Sequence, residues 1–130
     1  MRKKYVIGAL LVVMLLVGVA SAYGLTWYRL RTLNYRYVTY HNWVCNNMPS
    51  YYAPLYHRFR LVPVSADVDL RLYGYYYGTW YVLGNSTYGG LYTDQITISR
   101  ATRNVYSTLS ACGYGYSGSS YFHLRYDGGY

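Results

Sequence analysis

Apolar side chains recur at every second position along much of this chain, and that period constrains the fold more than anything else in it. In Asp67-Val68-Asp69-Leu70-Arg71-Leu72, Val68, Leu70 and Leu72 share one parity and the charged residues take the other. Ile96 and Ile98 alternate with Gln95, Thr97 and Ser99. Phe122, Leu124 and Tyr126 alternate with Tyr121, His123 and Arg125, and Phe59 and Leu61 with Arg58 and Arg60. Successive side chains of an extended strand point to opposite faces, so each run predicts a strand with one buried face. Gly84-Asn85-Ser86, Gly89-Gly90 and the stretch 113–120 supply turns between them. Pro49, Pro54 and Pro63 fall before or at the edge of the first core strands, where a missing N–H does least harm. No stretch carries the 3.6-residue period of an amphipathic helix. The pattern predicts an all-β chain folded as an antiparallel β-sandwich.

The N-terminus bears on the compartment. Arg2, Lys3 and Lys4 precede an apolar run from Val6 to Val19, and Ala20-Ser21-Ala22 follows with small residues. This order predicts a secretory signal over residues 1–22, cleaved after Ala22. The run is shorter than the roughly 20 residues that span a bilayer as a helix; an uncleaved anchor is the other reading, and the only one that gives the chain a membrane partner. Residues 23–55 then form a Tyr-rich, strand-prone N-terminal segment, and residues 56–130 hold the alternating core runs. After residue 22 there are nine arginines against Asp67, Asp69, Asp94 and Asp127, a net of +5. The arginines are scattered and not clustered, which argues against nucleic acid as a partner.

Cys45 and Cys112 both lie in the exported part, where an even count favours a disulfide. Two buried free thiols are the alternative. In a strand from Val105 to Cys112, Cys112 has the parity opposite to Val105 and Leu109 and is expected off the main core face. Neither Cys-x-x-Cys nor His-x-x-x-His spacing occurs, so a thiol–imidazole metal centre is not expected.

Residues 56 to 127 resemble the bacterial pre-peptidase C-terminal domain. The resemblance lies in His57-Arg58-Phe59-Arg60-Leu61 as a first core strand, in Ser65-Ala66-Asp67-Val68-Asp69-Leu70-Arg71-Leu72-Tyr73, in Asp94-Gln95-Ile96-Thr97-Ile98, and in a closing hairpin from Tyr114 through Ser117-Gly118 to Leu124. It implies a small jelly-roll-like sandwich acting as a non-catalytic accessory domain, whose relatives bind insoluble protein or polysaccharide through exposed aromatics and in some cases use calcium. The 130 residues hold no protease unit, and residues 23–55 have no counterpart in the family.

Candidate sites are few. Asp67 and Asp69, at i and i+2 on one strand face, are weak candidates for a hard-cation site such as calcium; otherwise they cap the strand entry and pair with an arginine such as Arg71. No other cofactor is expected. His41, His57 and His123 are scattered, and Gly115-Tyr116-Ser117-Gly118 is not a nucleophile elbow, so no catalytic residues are assigned and the chain is not expected to be an enzyme. Asn85-Ser86-Thr87 is an N-glycosylation acceptor pattern centred on Asn85.

Tyrosine fills 22 of the 130 positions, more rings than a core of this size can absorb. Tyr73, Tyr75, Tyr76, Tyr77, Trp80 and Tyr81 are the densest group, interrupted by Gly74 and Gly78 as in a hairpin. With Tyr73, Tyr75 and Tyr77 projecting to one side, they form the expected binding surface for an extracellular polysaccharide or protein polymer. The second reading is structural. Residues 23–44 are long, strand-prone and free of Pro and acid, and such a strand can complete a neighbour's sheet, giving a self-assembled extracellular filament.

Overall fold

The computed structural model describes residues 24–130; the expected signal at residues 1–22 and its cleavage site lie outside the described residues. Eight strands follow: β1 (Trp27–Val38), β2 (Trp43–Met48), β3 (Tyr56–Pro63), β4 (Val68–Tyr76), β5 (Thr79–Ser86), β6 (Asp94–Ser99), β7 (Thr108–Gly115) and β8 (Ser120–Gly129). They form two antiparallel four-stranded sheets, one in the order β1-β8-β3-β6 and the other β2-β7-β4-β5. The chain passes back and forth between the sheets, the strand order of a jelly roll. The expected all-β antiparallel sandwich is the observed fold. Residues 24–55 supply β1 to the first sheet and β2 to the second. The first sheet therefore ends on β1 and β6, the second on β2 and β5.

The alternating runs fill the space between the sheets. Phe59, Leu61, Ile96, Ile98, Phe122, Leu124 and Tyr126 face inward from the first sheet, and Val68, Leu70, Leu72, Leu109 and Ala111 from the second. Phe59 and Tyr126 stack with ring centroids 4.4 Å apart. His57 shares the inward parity of Phe59 and is fully buried; its Nδ1 lies 2.6 Å from the Tyr126 hydroxyl. Burial, and then the nearby Arg103 and Arg100 charges, hold this imidazole down at about 4.

One helix, α1 (Arg100–Val105), links β6 to β7. It leaves the all-β reading intact and shortens the strand expected from Val105, since β7 begins at Thr108. Six residues are too few to show a 3.6-residue period. The turn is held by its cap: the Ser99 Oγ accepts from the Thr102 N–H at 3.2 Å. Arg103 is fully buried and donates from Nη1 to the Tyr106 carbonyl at 2.9 Å, which sets the exit of the helix. This positions the Tyr106 ring over Gly74, where a Cβ would lie 2.5 Å from a ring carbon. A side chain at residue 74 would displace that ring.

Candidate functional site

The outward parity of the second sheet carries the aromatic surface. Trp43, Cys45 and Asn47 on β2, Ser110, Cys112 and Tyr114 on β7, Arg71, Tyr73 and Tyr75 on β4, and Trp80 on β5 share this face, as the register fixes: Trp43 opposes Tyr114, Cys45 opposes Cys112, and Tyr75 opposes Trp80. Trp43 and Tyr114 lie 4.7 Å apart, and Tyr75 and Trp80 5.0 Å apart, by ring centroid. The Arg71 guanidinium sits 4.7 Å over the Trp43 ring, a cation–π contact, and donates to the Tyr73 hydroxyl at 3.1 Å. Trp43, Tyr73 and Trp80 wall a hollow of about 380 Å³ whose floor is the disulfide.

The six candidate rings do not form one row. Tyr73, Tyr75 and Trp80 are on the outer face. Tyr76 and Tyr81 have the other parity and meet Tyr106, each about 6.3 Å from it. Tyr77 corrects the expectation of a Tyr73–Tyr75–Tyr77 row. It lies beyond β4 in the two-residue turn with Gly78, where both residues have positive φ (43° and 84°). Such a turn matches the twist of a tight hairpin and removes Tyr77 from the strand alternation. Its ring is 89% exposed and packs edge-on against Tyr76. The β4–β5 ribbon thus carries rings on both sides. On the Tyr76 side a shallow groove of about 550 Å³ runs between Tyr52, Tyr75, Tyr76, Tyr77 and Tyr106.

Cys45 and Cys112 form a disulfide with Cα atoms 4.0 Å apart. As the parity predicts, Cys112 lies off the core face, yet it is fully buried, because the aromatic rings around it form a second, smaller apolar layer. The bridge ties the edge strand β2 to its neighbour β7.

The acids divide into two centres. Asp127 is buried on the outer face of the first sheet. Arg29 Nε donates to its Oδ1 at 2.5 Å, and Arg58 Nη2 and Arg60 Nη2 donate to its Oδ2 at 2.9 and 2.7 Å. Burial alone pushes this carboxyl up, but the hydrogen bonds from Arg29 and Arg58 and the Arg60 charge outweigh it and hold it below its ordinary value. At the end of the second sheet Asp67, Asp69 and Asp94 converge, with carboxylate oxygens from all three within 4.8 Å of one another. The expected partner, Arg71, instead donates to the Asn85 carbonyl oxygen. Nor does the outward parity of Asp67 and Asp69 leave them solvated: they are 6% and 9% exposed, and Asp94 is 0%. Burial first, then the Asp67 and Asp94 charges, push the Asp69 carboxyl up to about 6. Burial also pushes Asp94 up, against hydrogen bonds from the Tyr88 N–H and the Ser86 hydroxyl. Three carboxylates with free oxygens suit a hard cation by donor type.

Asn85 is exposed on the edge strand β5, while Ser86 of the same pattern is buried on Asp94. Sequence reasoning missed Asp94, Trp43, Tyr106 and Tyr114. Trp43 and Tyr114 were open to it, since each shares parity with a cysteine of the bridge two residues away. Tyr106 and Asp94 join their sites only through the crossing of the sheets.

No family model matches the chain, and no curated protein matches it. Among solved structures it is similar to a chain described in the words "Bacillus endospore appendages form a novel family of disulfide-linked pili", with a TM-score of 0.41 and 11% identity over 80% of this chain and 88% of that one. At that level the overlap carries no information on how the present chain assembles. Among the described residues, no helix is long and apolar enough to cross a membrane.

Proposed function

We propose that the chain is an exported, non-catalytic structural subunit that joins copies of itself edge to edge into an extracellular filament. The observation that carries this reading is the contrast between the sheet edges. Edge strands expose unpaired N–H and C=O groups, and proteins blunt them with charge or proline. In the first sheet β1 carries Arg29, Arg31 and Arg36, and β6 runs directly into α1 at Arg100. In the second sheet both edges are bare: Trp43-Val44-Cys45-Asn46-Asn47-Met48 and Thr79-Trp80-Tyr81-Val82-Leu83-Gly84-Asn85-Ser86 contain neither charge nor proline. They lie on opposite sides of the same sheet. Pairing β5 of one copy with β2 of the next is a heterologous contact that repeats without closing. Exposed Trp80, Tyr81 and Val82 on one side and Trp43 on the other add apolar area to it. The disulfide fixes β2 in place as a template.

The N-terminal strand need not be exchanged for this. β1 pairs with β8 in its own sheet and holds Asp127 through Arg29, so donating it to a neighbour would uncover both. The second reading, capture of a polysaccharide or protein polymer, is favoured by the hollow of Trp43, Tyr73 and Trp80, where stacking of a flat ligand face is worth roughly 1–3 kcal/mol per ring by analogy with bases.

Sedimentation and negative-stain microscopy of the disulfide-intact protein with and without Val82→Lys separate the two. Val82 is 52% exposed on β5, so a lysine there charges the edge without entering the core. The wild type is expected to form concentration-dependent linear polymers and the variant to stay monomeric with an unchanged circular-dichroism spectrum. A wild type that stays monomeric while Trp80→Ser abolishes retention on insoluble polysaccharide reverses the order of the two readings.

A further inference from the structure

The aspartate cluster holds three buried acids with no opposite charge paired to them among the described residues. The chain after residue 22 has more than twice as many arginines as aspartates, so each acid has cations to spare. Yet every ion pair among the described residues is made to Asp127. Three of the four aspartates instead meet one another, out of water. Buried charges are ordinarily paired with an opposite charge or bound to a metal. Here Asp67 Oδ1, Asp69 Oδ1 and Asp94 Oδ2 are all buried without a hydrogen-bond partner, and a buried acceptor without a partner calls for an explanation.

Asp94 is the independent witness. It is fully buried, and its Oδ1 already accepts from the Ser86 hydroxyl at 2.9 Å and the Tyr88 N–H at 2.7 Å. Those bonds fix the carboxylate plane and leave Oδ2 free within the cluster. The three acids come from three places: the β3–β4 connection, β4 itself, and the start of β6 after the irregular segment 87–93. Thr87, Gly89 and Tyr116 line the same hollow, about 420 Å³ in volume, with Asp67 and Asp69. Thr87 and Tyr116 are hydroxyl-bearing residues.

We propose that Asp67, Asp69 and Asp94 form a calcium site that clamps the 87–93 segment to the start of β4. Calcium takes six to eight oxygen ligands at flexible geometry, with carboxylates, carbonyls and water mixed. Three carboxylates from two segments of the chain, with hydroxyl-bearing neighbours and room for water, meet that demand better than they meet the strict octahedron of magnesium. The competing account is a trio that shares protons and needs no ion; the Asp69 carboxyl, pushed up to about 6, makes that possible in acid. The two accounts part at neutral pH. Shared protons are then lost and like charges repel, whereas a bound cation holds the carboxylates ionised and together. The inference does not depend on how the chain assembles.

The test uses EDTA-treated, disulfide-intact protein carrying Val82→Lys to suppress any association. Terbium, a calcium stand-in, is added and excited through tyrosine, since Tyr116 lines the hollow. Sensitised terbium emission that calcium competes away is expected, and it should be lost in Asp69→Asn and in Asp94→Asn. At pH 7.5, millimolar calcium chloride should raise Tm by roughly 5–10 °C in the parent and not in Asp69→Asn. Asp94 also holds Ser86 and Tyr88, so Asp69→Asn alone decides the matter if Asp94→Asn does not fold. Calcium that leaves Tm unmoved, or terbium emission that survives Asp69→Asn, overturns the proposal; a Tm higher at pH 5 than at pH 7.5 whether or not calcium is added then assigns the cluster to shared protons.

Discussion

Two acidic centres in one small sandwich are built in opposite ways. At Asp127 one buried carboxylate accepts from three arginines that arrive from both neighbouring strands, Arg29 on β1 and Arg58 and Arg60 on β3. Where the start of β4 meets the start of β6, three carboxylates face one another, and among the described residues no arginine pairs with them. The first lowers its acid's proton affinity and is complete within the chain. The second raises it at Asp69 and Asp94 and is completed only by protons or by a cation. Burial is common to both, so burial alone does not decide what an acid does; the charges placed around it decide.

The largest effect expected from this contrast is at Asp127. Asp127→Asn leaves three guanidiniums converging on a neutral amide and should cost about 2–4 kcal/mol in urea unfolding, as breaking a buried ion pair does. A loss below about 0.5 kcal/mol would show that the three arginines are held by solvent and not by the carboxylate.

Next in size is the pH dependence, which should run in opposite directions at the two centres. Asp127 has a depressed folded value, so its stabilisation is present above the unfolded value of 3.8 and is lost as pH falls. His57, held at about 4, acts in the same sense: its contribution is present above 6.5 and is lost as pH falls through 4. Asp69 is raised to about 6, so its contribution is present below 3.8 and is lost as pH rises through 6. The groups facing Asp69 are Asp67 before β4, Asp94 on β6 and Tyr116 after β7. In EDTA, Asp69→Asn should remove a decline of order 1–3 kcal/mol between pH 4 and pH 7, and Asp127→Asn should leave that decline in place. An unchanged slope in Asp69→Asn would break the contrast.

The smallest effect is a change of sign. In EDTA at pH 7.5, Asp67→Asn relieves like-charge repulsion and should stabilise the fold by about 0.5–1 kcal/mol. In millimolar calcium the same change removes a ligand and should destabilise it. Thermal melts in the two buffers measure both; the same sign in both would mean that Asp67 is not a ligand.

Much of the fold was legible in the chain because burial on one face of a strand writes a period of two. Val68, Leu70 and Leu72, or Phe122, Leu124 and Tyr126, fall where their parity puts them. Parity also read Cys112 as off the core face, though not that Trp43, Tyr73 and Trp80 would bury it from outside. What local pattern cannot carry is convergence across sheets. Asp94 opens a strand of the first sheet and meets Asp67 and Asp69 of the second only because the chain crosses between them. Tyr77 was misplaced for a local reason: Tyr-Gly at a two-residue turn takes positive φ, and alternation stops there. The bare edges of β2 and β5 were visible as uncharged runs, but which strands would lie at an edge depends on the sheet order.

That edge pairing is the central claim, and amide hydrogen exchange on assembled and Val82→Lys monomeric protein tests it most directly. An edge strand has alternate N–H groups free, and pairing with a neighbour protects them. The assembled wild type is predicted to gain protection along β5 (Thr79–Ser86) and β2 (Trp43–Met48) together, with β1 and β6 unchanged. Assemblies in which β2 and β5 exchange as fast as in the monomer, or in which β1 alone becomes protected, would contradict it.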